Sequence, residues 1–287
     1  MFLNLPRIIS AVLLTFVLSG CSTVQTAYNS APTLLYWWLD GYFDFDDSQS
    51  RPVRQSIETL QAWHRREELP AYARLLQGLQ QQATDDTSPA QVCATTAQVR
   101  VHLQRLGGQS AEALAQLAPT LQPEQLRHLA RQFDKHNQKW REEWLDGSPE
   151  ELLDRRFRRT LERYEDFYGR LGERQRALLR QRLADSGFDA RLAWSERLRR
   201  QQDLLRVLQE HRNGERPAHI KAEMLALVQR SLEPPEPAVR EHFEQLLRQG
   251  CQTLAVLHNS ASTEQRRRLA DRLRAYGADL RALAAAG

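Results

Sequence analysis

Three cysteines are the residues of this sequence best suited to covalent chemistry, because a thiolate is intrinsically a strong nucleophile. Cys21 follows Leu18-Ser19-Gly20, which ends an apolar run that begins at residue 8 behind a positive charge. Such a run is typical of a cleaved export signal, and it is too short for a permanent membrane helix of about 20 apolar residues. We therefore predict a signal peptide over residues 1–20 and a thiol at the first position of the mature chain.

The motif Leu18-Ser19-Gly20-Cys21 resembles the lipobox of bacterial lipoproteins. The resemblance implies that signal peptidase recognises Leu18, Ser19 and Gly20, and that the thiol of Cys21 carries diacylglycerol. We expect no cofactor other than this covalent lipid, which holds the protein to a membrane. Ser22 follows where an aspartate would be the inner-membrane retention signal of enteric bacteria, so we expect the periplasmic face of the outer membrane. The alternative is an ordinary secretory signal with a chance cysteine.

Cys93 and Cys251 are the two thiols that remain when Cys21 is lipidated. The periplasm is oxidising, and two thiols left over in an exported protein usually pair. A bridge between them would close a very long loop, for which the loop-entropy model gives on the order of 4–5 kcal/mol. The alternative is a pair of separately buried apolar cysteines.

Signatures of an enzyme or of a metal site are missing from the sequence. The eight histidines never recur at the His-x3-His or His-Glu-x-x-His spacing that places two zinc ligands on one helix face. We find neither a Gly-rich phosphate loop nor a Gly-x-Ser-x-Gly turn. We therefore predict no catalytic residue, no bound metal and no enzymatic activity.

The charge of the chain says little about nucleic acids. The net charge is +4, and only three of the 40 basic residues are lysines, a bias that is typical of genome composition rather than of a binding task. An exported protein also does not meet chromosomal DNA. We therefore expect no nucleic-acid partner, but rather an envelope protein or polymer, in addition to the membrane reached through the lipid.

Aromatic and acidic residues are concentrated in Tyr36-Trp37-Trp38-Leu39-Asp40-Gly41-Tyr42-Phe43-Asp44-Phe45-Asp46-Asp47. Tyrosine and tryptophan favour interfaces because each has an apolar body and a polar tip. One interpretation is therefore a contact with a partner or with the bilayer surface, and the other is a first helix whose aromatic side chains fill the core. The candidate contact residues are Tyr36, Trp37, Trp38, Tyr42, Phe43 and Phe45.

The rest of the chain has the apolar periodicity of helices, with no alternating stretch long enough for a strand. Short breaks between amphipathic helices predict an all-α antiparallel bundle of roughly ten helices behind a lipidated linker. Gly107-Gly108 is predicted to end one helix, and Pro70 either starts a helix or kinks a longer one. The predicted divisions are a lipid-anchored linker with the aromatic segment (21–50), a main helical body (51–232) and a C-terminal helical hairpin packed on that body (238–287).

Asn137 lies on an apolar face between Phe133 and Trp140. A buried asparagine needs hydrogen-bond partners. We expect the arginine-rich run at 155–163 to supply them in a structural network rather than a ligand site.

Two helix starts share the pattern Leu-x-x-x-Gln, Leu121 to Gln125 and Leu171 to Gln175, and Ser262-Thr263-Glu264-Gln265 repeats its end. The pattern resembles the Leu-Thr-x-x-Gln signature of small periplasmic chaperones of the Spy and CpxP type, although the threonine is absent and those proteins are much shorter. The alternative is helix capping.

The chain also resembles a family of predicted lipoproteins of Gram-negative bacteria that is defined only as a domain of unknown function. The matching stretches are Tyr28-Asn29-x-Ala31-Pro32, 36–46, Arg158-x4-Arg163-x5-Gly169-Arg170-Leu171 with Gln175, and 258–266. The resemblance implies a helical envelope protein and no known activity. Our leading hypothesis is a non-enzymatic binding or structural component of the envelope, the alternative is a membrane-tethered chaperone, and the oligomeric state stays open.

Overall fold

The computed structural model describes residues 23–212 and 217–286, and all regular structure in these ranges is helical. This confirms the predicted all-α helical bundle. A π-turn at His64–Glu68 joins the second helix to the third, and a 3-10 turn at Ala118–Thr120 follows the fourth. The α-helices are α1 (Thr23–Phe43), α2 (Asp47–Trp63), α3 (Leu69–Gln82), α4 (Pro89–Leu117), α5 (Pro123–Trp144), α6 (Pro149–Tyr168), α7 (Glu173–Ala184), α8 (Ala190–Glu210), α9 (Pro217–Leu232), α10 (Pro237–Asn259) and α11 (Thr263–Ala285).

Local sequence explains where many of these helices begin. The side chains of Asp46, Ser88, Ser148 and Ser262 accept hydrogen bonds from backbone N–H groups in the first turns of α2, α4, α6 and α11. These bonds satisfy donors that a helix start leaves unpaired. The boundary predicted between residues 232 and 238 coincides with the stretch Pro234-Pro235-Glu236-Pro237, since α9 ends at Leu232 and α10 starts at Pro237.

The predicted linker over residues 21–50 needs correction, because α1 occupies Thr23–Phe43. Pro32 lies inside α1, and it has no N–H to donate to the carbonyl four residues earlier. That carbonyl belongs to Tyr28, and it accepts a 2.8 Å hydrogen bond from Nε2 of Gln61 in α2. A tertiary contact thus replaces the missing helical bond, which the sequence alone does not show.

The predicted helix end at Gly107-Gly108 is wrong, since α4 continues through both residues to Leu117. A Cβ atom added to Gly107 would lie 2.5 Å from Cγ1 of Val228 in α9. The glycine therefore permits the close approach of α9 to α4 and does not break the helix. Pro70 stands in the first turn of α3, where its missing N–H costs no helical hydrogen bond, and the π-turn joins α2 to α3 without an intervening loop.

Two groups of buried side chains form the main cores. One is formed by α1, α4, α5, α8 and α9, around residues such as Phe43, Leu129 and Met224, and the other by α6, α7 and the loop ends of α10 and α11 around Leu179 and Leu257. The C-terminal hairpin prediction needs correction, because α11 packs along α3 and α10 along α4 rather than along one another. Both helices therefore pack on the body, but each against a different helix.

Candidate functional site

The aromatic segment is divided between the core and the surface. Tyr36 and Phe43 are buried, and the hydroxyl of Tyr36 donates a 2.9 Å hydrogen bond to Oγ of Ser50. The ring of Phe43 stacks on that of Phe45, with centroids 5.5 Å apart. Tyr36 and Phe43 therefore belong to the core, as one of the two interpretations of this segment expects.

The opposite side of α1 presents large apolar side chains to solvent. Leu34, Trp37 and Trp38 are 62%, 59% and 58% exposed, and their i, i+3, i+4 spacing places them on one side of the helix. We call these three residues the Trp face. Large apolar side chains that are exposed side by side are uncommon on protein surfaces, which makes the Trp face a candidate contact site.

The Trp face rests on an ordered layer. The guanidinium of Arg54 in α2 lies 3.4 Å from the ring centroid of Tyr36 and 5.4 Å from that of Trp37. The rings of Trp38 and Tyr42 are 4.9 Å apart, and Tyr42 stacks on His136 of α5 at 5.2 Å. Tyr42 and Phe45 are half-buried, so they support the face more than they form it.

Two of the four aspartates in the segment shape the turn between α1 and α2. Oδ1 of Asp40 accepts from the N–H of Phe45 at 3.0 Å, and Oδ1 of Asp46 accepts from the N–H groups of Ser48 and Gln49. Hydrogen bonds to Ser48 and Gln49 lower the pKa of Asp46. Asp44 and Asp47 are exposed close to the turn and give this end of α1 negative charge.

The residues predicted for lipidation and cleavage, Cys21 with Leu18, Ser19 and Gly20, lie outside the described residues. The described part of α1 begins at Thr23, two positions after Cys21. Over residues 23–212 and 217–286, no helix is long and apolar enough to cross a membrane, and no group of three or more His, Cys, Asp or Glu side chains is placed to hold a metal ion.

Cys93 in α4 and Cys251 in α10 lie together as a disulfide, with their Cα atoms 5.5 Å apart. The bond joins positions that are 158 residues apart in the chain. Since α10 packs along α4, the bridge lies inside a helix–helix contact and fixes the relative position of these two helices.

Each glutamine of the two Leu-x-x-x-Gln starts forms hydrogen bonds with a glutamine at the start of another helix. Gln125 and Gln49 exchange hydrogen bonds of 2.6 and 3.1 Å, and Oε1 of each also accepts from the backbone N–H three residues earlier. Gln175 and Gln265 repeat the pattern at 2.9 and 3.0 Å. We call these the Gln49/Gln125 crossing and the Gln175/Gln265 crossing. These glutamines therefore cap their own helices, as the capping alternative expects, and in addition join two helix starts to each other.

Asn137 is buried as predicted, but the expected partners are wrong. Its side chain bonds Gln201 at 2.7 and 3.0 Å and accepts from Nε of Arg197 at 2.7 Å, both in α8. The arginines of α6 point to other groups, and Arg155 donates to the carbonyls of residues 142 and 143. The network is therefore structural, between α5 and α8.

A buried carboxylate that sequence analysis missed is Glu68, at the end of the π-turn and fully buried. Its carboxylate oxygens lie 2.6 Å from Nδ1 of His102 and 3.1 Å from Nε of Arg105, both in α4. Burial, with the Glu68 charge second, raises the pKa of the neighbouring Tyr72 hydroxyl. His102 and Glu68 are 34 positions apart, so the sequence carries no local spacing signal for this pair. The pairing compensates an otherwise costly buried charge and joins α3 to α4.

A cavity of about 500 Å³ is the second feature that sequence patterns did not indicate. It lies between α3, α4, α6, α10 and α11, and its walls are largely apolar. Five helices from three distant parts of the chain border it, so no single stretch of sequence carries its pattern. It is lined by Leu79, Gln82, Ala83, Thr87, Gln91, Val92, Thr95, Thr96, Thr160, Arg163, Tyr164, Phe167, Tyr168, Leu254, His258, Leu269 and Leu273.

The described chain is thus an all-helical protein with an exposed aromatic face on its first helix. The model of a family of unknown function (DUF6279) matches residues 41–237, and the chain belongs to this family. The match covers neither the Trp face, which precedes Gly41, nor residues 258–266, which follow residue 237. Neither the curated proteins nor the solved structures contain a match.

Proposed function

We propose that this protein is a non-enzymatic component of the bacterial cell envelope that binds an envelope protein through the Trp face while lipid on Cys21 holds it to the outer membrane. The observation that carries the proposal is the exposure of Leu34, Trp37 and Trp38 on a single side of α1. Tryptophan is over-represented among the residues that contribute most to protein–protein binding, because it buries a large area with few rotatable bonds.

The position of the Trp face fits a membrane-tethered protein. From Thr23 to Trp38, α1 rises by about 22 Å at 1.5 Å per residue. The predicted lipid site at Cys21 is two residues before Thr23. The Trp face would therefore remain close to the membrane surface, where other envelope proteins are reached with a raised effective concentration.

Charge favours a protein partner over the bilayer itself. Asp44 and Asp47 are exposed at the end of α1 that carries the Trp face. Carboxylates oppose insertion beside anionic headgroups, whereas they can be met by basic side chains of a protein partner. Because Arg54 already covers the ring of Tyr36, the partner would contact a surface that is ordered before binding.

Photo-crosslinking in living cells tests the proposal, with the probe placed in turn at Trp38, at half-buried Tyr42 and at Arg267, which is exposed on α11. We expect one discrete adduct from position 38, a weaker one from 42 and none from 267. Adducts only to lipid would replace the protein partner with the bilayer. Absence of any adduct from 38 would overturn the proposal.

A paired substitution gives the control. Trp37→Ala/Trp38→Ala should abolish capture of the crosslinked partner without loss of folding, because both side chains are more than half exposed. Val101→Ala/Leu103→Ala removes two other exposed apolar side chains, on α4, and should leave capture unchanged. Equal effects of the two double variants would mean that general surface hydrophobicity, not the Trp face, mediates binding.

The chaperone alternative predicts a different result in the same experiment. A chaperone would give many weak adducts from all three positions, since unfolded clients contact wide surfaces. The glutamines that suggested this alternative form hydrogen bonds within the fold at the two crossings. Suppression of the aggregation of an unfolded client by the purified chain would favour the chaperone function.

A further inference from the structure

The cavity between α3, α4, α6, α10 and α11 has the size of a small-molecule site. Its volume of about 500 Å³ falls in the range of about 300–1,000 Å³ that is usual for ligand pockets. Leucine, valine, alanine and aromatic side chains form most of the lining. Such walls hold water poorly, since an ordered water needs two or more polar partners.

Most polar groups in the lining are already hydrogen-bonded. The hydroxyls of Thr95, Thr96 and Thr160 each donate to the carbonyl four residues earlier in their own helix. The hydroxyl of Tyr168 lies 2.9 Å from Nδ1 of His258, and Nε2 of His258 lies 2.8 Å from the carbonyl oxygen of residue 85. These groups close the wall and offer little to a polar ligand.

Four polar side chains of the lining make no side-chain hydrogen bond within the described residues: Gln82, Thr87, Arg163 and Tyr164. Gln82 and Arg163 are exposed, whereas Thr87 and Tyr164 are half-buried. Arg163 is also the lining residue with a full positive charge, and no carboxylate of the described chain pairs with it. Burial raises the pKa of Tyr164 to about 12, so its hydroxyl remains a donor at neutral pH. All four can donate hydrogen bonds, and Gln82 and Arg163 do so from the exposed part of a largely apolar lining.

We propose that this cavity binds a long-chain fatty acid, with the alkyl chain between α4, α10 and α11 and the carboxylate at Arg163 and the hydroxyl of Tyr164. The complementarity is of two kinds, an apolar volume for the chain and an unpaired cation with neutral donors for the head. A neutral apolar ligand would leave Arg163 unused. A polar ligand such as a sugar would find too few free partners in walls of this composition.

The first experiment maps the site in the intact chain. The purified full-length protein, in neutral phosphatidylcholine vesicles, is irradiated with palmitic acid that carries a diazirine in its alkyl chain, and the modified residues are identified by peptide mass spectrometry. We expect labels on the cavity walls, at Val92, Thr96, Leu254 or Leu269, and competition by unlabelled palmitate. Labelling confined to the Trp face or scattered over exposed helices would overturn the proposal.

The second experiment tests the head group by competition with palmitate and with hexadecanol. Each methylene contributes about 0.8 kcal/mol, so decanoate, six carbons shorter, should compete far more weakly, by about 4-fold per carbon. A charge-assisted hydrogen bond to Arg163 should favour palmitate over hexadecanol by about 10-fold. Arg163→Gln should remove that preference, and Arg158→Gln, on an exposed part of the same helix, should keep it. An unchanged preference in Arg163→Gln would exclude the carboxylate at this residue.

A filled cavity provides an independent check. Leu254→Trp places a larger side chain in the wall and should abolish labelling, whereas Ala97→Trp, on the exposed side of α4, should not. If Leu254→Trp does not fold, the map of the unmodified protein still decides. Since no residue of α1 lines the cavity, Trp37→Ala/Trp38→Ala should leave fatty-acid labelling intact, which separates this proposal from the partner-binding one.

Discussion

The Gln49/Gln125 crossing and the Gln175/Gln265 crossing have the same hydrogen-bond geometry, but the aromatic side chains beside them have different environments. At each crossing, the side-chain amides of two glutamines at helix starts form two hydrogen bonds with each other. Each amide also donates to a backbone carbonyl just before the partner helix: Gln125 to that of residue 44, Gln49 to 120, Gln265 to 170 and Gln175 to 260. Even the supporting bonds recur, because Asp40 accepts from the N–H of residue 45, and Glu165 from that of residue 171, at 3.0 Å in both cases.

The side chains one or two turns before each crossing make the difference. Before the Gln49/Gln125 crossing, α1 turns two tryptophans outward and buries Phe43. Before the Gln175/Gln265 crossing, α6 lines a cavity with Tyr164 and Tyr168. The comparison shows that the glutamine hydrogen bonds fix how the helices meet. The adjacent aromatic side chains decide whether an exposed face or a cavity lies beside the crossing.

The disulfide should have the largest effect on this comparison, because α4 runs from the cavity to the Gln49/Gln125 crossing. Loss of the Cys93–Cys251 bond frees a loop of 158 residues and should lower the free energy of unfolding by about 5 kcal/mol in the loop-entropy model. Urea unfolding with and without reductant measures this. Cys93→Ser/Cys251→Ser should be insensitive to reductant, and two freely alkylated thiols in the native protein would contradict the pairing.

The second largest effect is expected from substitution of the aromatic residues that end α1 and α6. Phe43→Ala and Tyr168→Ala should each destabilise the fold by about 3–5 kcal/mol, since both rings are buried. Trp38→Ala should change the free energy of unfolding by less than about 0.5 kcal/mol because the side chain is exposed. A large loss in Trp38→Ala would show that the Trp face is part of the core, and the difference between the crossings would disappear.

Substitutions of the paired glutamines test whether the two crossings contribute equally to the free energy of unfolding. Gln125→Ala should destabilise the fold by about 2 kcal/mol, because it removes both hydrogen bonds to Gln49 and leaves the carbonyl of residue 44 and the N–H of residue 122 without their partner. Gln265→Ala should cost less, since Gln265 is more exposed than Gln125. Double-mutant cycles within each pair, Gln49 with Gln125 and Gln175 with Gln265, give the two coupling energies. Coupling near zero in both would mean that these bonds merely accompany the helix contacts.

Alkaline titration is the mildest test and concerns the cavity side alone. Burial raises the pKa of Tyr164 to about 12, against about 10 in an unfolded chain. The raised pKa stabilises the folded state fully below about pH 10, and about 2 kcal/mol of this contribution is lost by about pH 11.5. Tyr164→Phe should therefore lose less stability than the parent between about pH 9 and about pH 11.5 in urea titrations. An identical loss in both proteins would mean that the Tyr164 hydroxyl is solvated in the folded state.

Much of the fold follows from local sequence. The cap residues Asp46, Ser88, Ser148 and Ser262 mark helix starts because they satisfy backbone donors within three residues. The prolines that follow Leu232 likewise mark a helix end, because proline cannot continue a helix. The prediction failed at Gly107, whose role depends on Val228 in another helix. It also failed for the partners of Asn137, because periodicity tells which face is buried but not which helix covers it.

The candidate sites were predictable only in part. Density of aromatic residues singled out the segment from Tyr36 to Phe45, but its division into core and Trp face required the neighbouring α2 and α5. Glu68 gave no signal, since its partners His102 and Arg105 stand on a separate helix. The cavity gave none, as its lining is drawn from five helices that each look like ordinary amphipathic helices.

By itself the sequence determined the helical class, most helix starts and the concentration of aromatic residues in the first helix, because capping, proline geometry and apolar periodicity act within a few residues. The tertiary structure alone decided which aromatic side chains face solvent, which glutamines pair across the bundle and where the five helices leave a cavity. These outcomes depend on the packing of segments far apart in the chain. Packing is set by the complementarity of whole surfaces, and no local pattern encodes it.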